Sequence, residues 1–153
     1  MRKAYFVGIG GIGMSALARY FRFHGRKVSG YDRSATPLTH QLESEGIPIH
    51  YEEDVTKTPS DPDLVVYTPA VPGEHKELVY YRQRGVTLMK RSEVLGLITK
   101  NSFNICVAGT HGKTTITTMI AHILRQRANR GSGWFSKCAF LCVDRESEHR
   151  VIF

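Results

Sequence analysis

The stretch AYFVGIGGIGMSALARYFRF, from Ala4 to Phe23, places four apolar residues before four glycines and an amphipathic run. That order leaves the chain few ways to fold. Ala4, Tyr5, Phe6 and Val7 form a run of strand length, too short for a buried helix. Gly8, Gly10, Gly11 and Gly13 weaken any helix through them, so helix is predicted only from about Ile12 to Phe23. On it Ile12, Ala16, Leu17, Tyr20 and Phe21 recur at helical spacing and predict one apolar face.

Strand, glycine turn and helix are the setting that G-x-G-x-x-G requires, and Gly8-Ile9-Gly10-Gly11-Ile12-Gly13 satisfies it. The first glycine permits the turn, the second lets backbone approach a pyrophosphate, and the third lets helix and strand pack closely. Amides of the helix N-terminus then face the anion. Asp32 ends the next β-rich run, Lys27–Tyr31, where an acid hydrogen-bonds a ribose hydroxyl. NAD and a UDP-sugar both carry a pyrophosphate and a ribose, so the spacing does not choose between them.

The alternation continues. Helix is predicted over 36–45 with Pro37 in its first turn, strand over 63–67, helix over 74–84 ended by Gly85, strand over 86–89 and helix over 91–98. Strands alternating with helices predict an α/β fold, a Rossmann-like parallel sheet with flanking helices over residues 1–100. A polar link at 99–102 precedes a second start: strand 103–108, a glycine loop, and helix 114–126.

That second loop reads Gly109-Thr110-His111-Gly112-Lys113-Thr114-Thr115. Its Gly-Lys-Thr is that of a P-loop, in which Lys113 reaches the β- and γ-phosphates of ATP and the Thr114 hydroxyl sits on Mg²⁺. Backbone amides from Gly109 onward form an anion nest, and His111 is either a phosphate contact or a polar loop residue. Val107 stands where the first glycine of the strict pattern belongs. Residues 101–126 thus read as the first β-loop-α unit of an ATP-binding domain. Ile116, Met119, Ile120, Ile123 and Leu124 form an apolar stripe that one strand and one helix cannot bury, so packing by the tail or self-association is expected. From Arg127 the alternation stops, although 137–143 and 151–153 have strand character.

Bulk properties narrow the class. With 41% apolar and 23% charged residues, the chain is of globular type. No apolar run reaches bilayer length, and the glycines spoil the signal-like N-terminus, so neither membrane insertion nor secretion is expected. Cys106, Cys138 and Cys142 are too few for a disulfide framework and fit a reducing cytoplasm. Cys138, Cys142 and His149 lack a fourth ligand and finger spacing for zinc. The net charge of +7 comes from scattered residues without a nucleic-acid-binding motif, so no nucleic-acid partner is expected.

GIGGIGMSALA followed about a hundred residues later by VAGTHGKTT resembles the Mur ligases of peptidoglycan synthesis, from Lys3 to about Gln126. The resemblance implies ATP- and Mg²⁺-dependent ligation. The carboxylate of UDP-N-acetylmuramate is phosphorylated, and the amine of L-alanine attacks the acyl phosphate. Gly8, Gly10, Gly11, Ile12 and Gly13 would cradle the diphosphate, and Asp32 and Ser34 would contact the uridine side. Thr68 and Ala70 would form the rim of the same crevice. Lys113 and Thr114 would be the catalytic pair within the ATP loop. Two alternatives stay open: the related ligase that joins a tripeptide to the same sugar, and a nicotinamide-dependent oxidoreductase using the first loop alone. The resemblance stops near residue 126, and 127–153 is expected to be a non-family tail produced by a frameshift.

Overall fold

The structure, a computed structural model, describes residues 2–100, 103–128, 138–143 and 150–151. It divides into two compact units, Met1–Val94 and Leu95–Phe153. The division falls inside a helix that precedes the polar link at 99–102. No described helix is long and apolar enough to cross a membrane.

In the first unit β1 (Lys3–Val7), β2 (Lys27–Tyr31), β3 (Ile49–His50), β4 (Leu64–Tyr67) and β5 (Leu88–Lys90) form one parallel sheet in the order β3-β2-β1-β4-β5. Helices α1 (Ile12–Phe23), α2 (Pro37–Ser44) and α3 (Lys76–Gln83) connect the strands, and α4 (Arg91–Thr99) follows β5. β1 is central, and Tyr5, Phe6 and Val7 on it are fully buried. A strand covered on both faces needs such a continuous apolar run. Tyr5, Val7, Tyr31, Val65, Leu78 and Tyr81 make one core cluster, each large side chain stabilising the fold by about 1.5–3 kcal/mol.

Helix α2 shows how the sequence sets a local boundary. Thr36 and Thr39 bond each other's backbone N–H in a reciprocal cap, and Pro37 occupies the first turn. Elsewhere the predicted bounds shift for visible reasons. Helix α3 starts at Lys76, not Glu74, because the His75 N–H still closes a turn on the Pro72 carbonyl at 3.0 Å. Strand β5 starts at Leu88, not Val86, because the Val86 N–H is spent on the Tyr81 carbonyl that ends α3. The two-residue β3 and a 3₁₀ turn at Val55–Lys57 were not predicted.

The apolar face expected on α1 is corrected. Ile12 is 75% exposed, while Met14, Ser15, Leu17 and Ala18 are buried. Met14 is buried in the same first turn as Ile12; at 3.6 residues per turn Met14, Leu17 and Ala18 share one arc that faces the sheet, and Ile12 lies on the opposite side of the helix.

The second unit holds β6 (Phe103–Ala108), α5 (Lys113–Ala128), β7 (Cys138–Val143) and β8 (Arg150–Val151). β6 and β7 are parallel, with Phe103 opposite Cys138 and Ala108 opposite Val143; β8 is antiparallel to β7. The tail therefore contributes a strand that completes a β-α-β unit, an alternation the sequence did not show. Ile116, Met119 and Ile123 of the α5 stripe are exposed. Cys106 is a free, exposed thiol; His149, Ile152 and Phe153 lie outside the described residues.

Candidate functional site

Neighbours β2 and β4 flank β1, so the connections leave the sheet in opposite directions on either side of it. A crevice at the carboxyl ends of β1 and β4 is where an open parallel sheet takes its ligand. Three loops converge there.

The first is the glycine turn. Gly8 has φ +83°, which side-chain-bearing residues rarely adopt. Its N–H and that of Ile9 both donate to the Tyr31 carbonyl, at 2.8 and 3.0 Å, anchoring the turn to the end of β2. A Cβ on Gly8 would meet Thr68 Cγ2 at 2.9 Å and Val71 Cγ2 at 3.2 Å, so the loop Thr68-Pro69-Ala70-Val71 after β4 lies directly against the turn. Thr68 is half-buried and Ala70 exposed at that rim. The second is the acid after β2. Asp32 Oδ2 accepts the Gly10 N–H at 2.7 Å, and Oδ1 accepts the Ser34 N–H at 3.2 Å. Asp32 is thus a brace that shapes the loop; a carboxylate accepts about four hydrogen bonds, so sites remain for a ribose hydroxyl.

These contacts change the expected glycine roles. The Gly10 amide faces Asp32, and a Cβ there would meet Asp32 Oδ2 at 2.8 Å and Thr39 Cγ2 at 2.9 Å. Gly13 makes room for Arg91, whose Nη1 lies 2.7 Å from where a Cβ would stand, and not for close helix–strand packing. Arg91 opens α4 behind β5 and is the third element of the crevice. Motif reasoning missed it; asking which residue ends each parallel strand at its carboxyl side would have found it. Gly11 is the N-cap of α1 and offers no side-chain cap, leaving first-turn amides to the crevice.

Behind the turn lies a buried polar chain. The Tyr31 ring packs against His75 and His50, with centroids 4.7 and 5.4 Å apart. Tyr5 Oη stands 2.7 Å from both His50 Nε2 and Glu77 Oε2. His50 Nδ1 faces the Glu52 carbonyl at 2.9 Å, an acceptor only, so Nδ1 carries a proton. With a neutral ring, Tyr5 donates to Nε2 and a protonated Glu77 donates to Tyr5. With the proton on Nε2, Tyr5 donates to the Glu77 carboxylate. Burial pushes Glu77 up to about 7, against the lowering effect of the Tyr5 hydrogen bond, and burial also lowers His50 and His75.

In the second unit the glycine loop joins β6 to α5. Gly112 has φ +76°, and Gly109, Thr110, His111, Thr114 and Thr115 are exposed. Lys113 Nζ folds over the loop, donating to the Gly109 and Thr110 carbonyls at 2.7 and 3.0 Å. His111 Nδ1 lies 3.2 Å from Thr110 Oγ1.

Comparison with known proteins matches residues 3–103 of the 153 to the Mur ligase family, catalytic domain. The chain belongs to the Mur ligase family. A UDP-N-acetylmuramate–L-alanine ligase of Parabacteroides distasonis is 57% identical over 128 residues, covering 80% of this chain and 28% of that protein. One from Phocaeicola vulgatus is 55% identical over 162 aligned positions, covering 99% of this chain, residues beyond 126 included, and 35% of that protein. Among solved structures, the UDP-N-acetylmuramate–alanine ligase of Thermotoga maritima superposes with a TM-score of 0.77 at 38% identity, over 84% of this chain and 30% of that one. A murein peptide ligase of Psychrobacter arcticus gives 0.77 at 32% identity, over 84% and 27%. The chain spans about a third of the length of the curated Mur ligases it matches.

Proposed function

We propose that this chain carries the UDP-sugar-binding crevice and the phosphate loop of an ATP-dependent UDP-N-acetylmuramate–L-alanine ligase of the cytoplasm. The observation that carries this reading is the convergence of the Gly8 turn, Asp32, Thr68 and the uncapped start of α1 on one edge of a parallel sheet. Gly8, Gly10, Gly11, Ile12 and Gly13 would surround the diphosphate, with Asp32 and Ser34 on the uridine side and Thr68 and Ala70 at the rim. Exposed Ile12 offers apolar surface to the ligand at the mouth of the crevice.

The residues between β6 and α5 fit a nucleotide phosphate: a positive-φ glycine, a helix start and an ammonium already lying over the loop. Gly109, Thr110, His111, Gly112 and Thr115 would line the phosphates, Lys113 would pair with them, and Thr114 would offer its hydroxyl to Mg²⁺. MgATP would supply the phosphoryl group that activates a carboxylate. No group of three or more His, Cys, Asp or Glu stands together among the described residues. The 153-residue chain covers about a third of the length of its relatives and is by itself expected to bind UDP-N-acetylmuramate without ligating L-alanine to it.

Calorimetric titration tests the reading. Heat with UDP-N-acetylmuramate and none with NADH is the expected result; the reverse pattern refutes it. A second reading, a muropeptide-recycling ligase of the same family, draws on the equal TM-score of the murein peptide ligase. Relatives named as L-alanine ligases at 57% and 55% identity favour the first.

A further inference from the structure

The motifs supply the crevice with backbone amides and a carboxylate, yet the fold brings a cation to it. Arg91 is 8% exposed, although it is a charged residue. Its Nη1 lies 2.7 Å, and its Cδ and Cζ 3.3 Å, from where a Cβ on Gly13 would stand. Among the described residues its guanidinium makes no hydrogen bond, ion pair or ring contact. A guanidinium offers five N–H donors in a planar fork. That of Arg91 is largely shielded from water without a paired anion, and its neighbour is the first turn of α1, the positive pole of a helix dipole. Both penalties are relieved by an anion placed between them.

We propose that Arg91 is the side-chain cation of this crevice. It binds the phosphate oxygens of a nucleoside diphosphate jointly with the first-turn amides of α1, and position 13 is glycine because the guanidinium occupies the space a Cβ would fill. The inference rests on the UDP-sugar reading above and adds to it the residue that distinguishes a diphosphate from a bare nucleoside. A planar guanidinium can bridge two phosphate oxygens, a geometry an ammonium does not reproduce.

The test titrates the chain and its Arg91→Met, Arg91→Lys and Gly13→Ala variants with UDP and with uridine, and melts each protein without ligand. Arg91→Met is expected to lose roughly 10- to 100-fold in UDP affinity, the range for a hydrogen bond to a charged group. Arg91→Lys recovers part of that, Gly13→Ala weakens UDP binding by displacing the guanidinium, and uridine binding is unchanged in all. The ligand-free melting temperature of Arg91→Met stays level or rises, since an unpaired buried charge has gone. UDP binding by Arg91→Met within about twofold of the parent chain would overturn the assignment to Arg91 and leave the UDP reading intact. A lower ligand-free melting temperature, with UDP and uridine weakened alike, would overturn it in favour of a purely structural arginine. Absence of UDP binding by the parent chain would overturn both.

Discussion

At the scale of single residues, Asp32 and Glu77 show how differently two carboxylates are used. Asp32 holds two backbone N–H groups of the loops that bound the crevice, so its removal frees both. Asp32→Ala is expected to lower stability by about 1–3 kcal/mol and to weaken UDP binding, read by thermal melting and titration. Unchanged melting with unchanged affinity would show that the brace is idle. Glu77 is fully buried, and its folded-state value is raised from 4.5 to about 7. The stability that follows from this shift is complete below pH 4.5 and is lost as pH rises through about 7, a change of about 3 kcal/mol. His50 and His75 are lowered, so their contribution runs the other way and is lost as pH falls below 6.5. Glu77→Gln should therefore flatten the decline between pH 5 and pH 8 while keeping the loss on the acid side. Parallel melting curves for parent and variant across pH 5–8 would contradict the buried protonated acid.

At the scale of elements, caps and turns do most of the positioning. The reciprocal bonds of Thr36 and Thr39 start α2 beside the glycine turn, where Thr39 Cγ2 fills the space next to Gly10. Thr36→Ala is expected to cost about 1 kcal/mol, measured by denaturant titration, with the UDP affinity of the folded protein close to the parent's. Helix α1 and strand β1 were readable because the four-residue apolar run and the glycines admit one arrangement. The face of α1 was misread at Ile12 because a stripe through 12, 16 and 20 and one through 14, 17 and 18 both have helical spacing, and only packing against the sheet selects the second. Strand β3 escaped notice because Ile49 and His50 are too few to show alternation; pairing with Gly30 and Tyr31 makes them a strand.

At the scale of the whole molecule, each unit has its own sheet, and the two glycine loops stand one in each. The proposed UDP-sugar and ATP phosphate sites are therefore built from separate sheets. This separates two measurements on the 153-residue chain: UDP-N-acetylmuramate binding is expected, while phosphate release dependent on that sugar and L-alanine together is not. Such release from the purified chain would overturn the expectation. Ile116, Met119 and Ile123 leave apolar surface on α5 exposed among the described residues.

The sequence by itself determined the alternating α/β plan, the Gly8 turn and the two glycine loops, because these depend on backbone freedom and local periodicity that neighbouring residues specify. Only the tertiary structure decided what the glycines are for. Asp32 reaches Gly10 across 22 positions, and Arg91 reaches Gly13 across an even longer span. Such contacts arise from the order in which parallel strands are laid side by side, and no local pattern along the chain encodes that order.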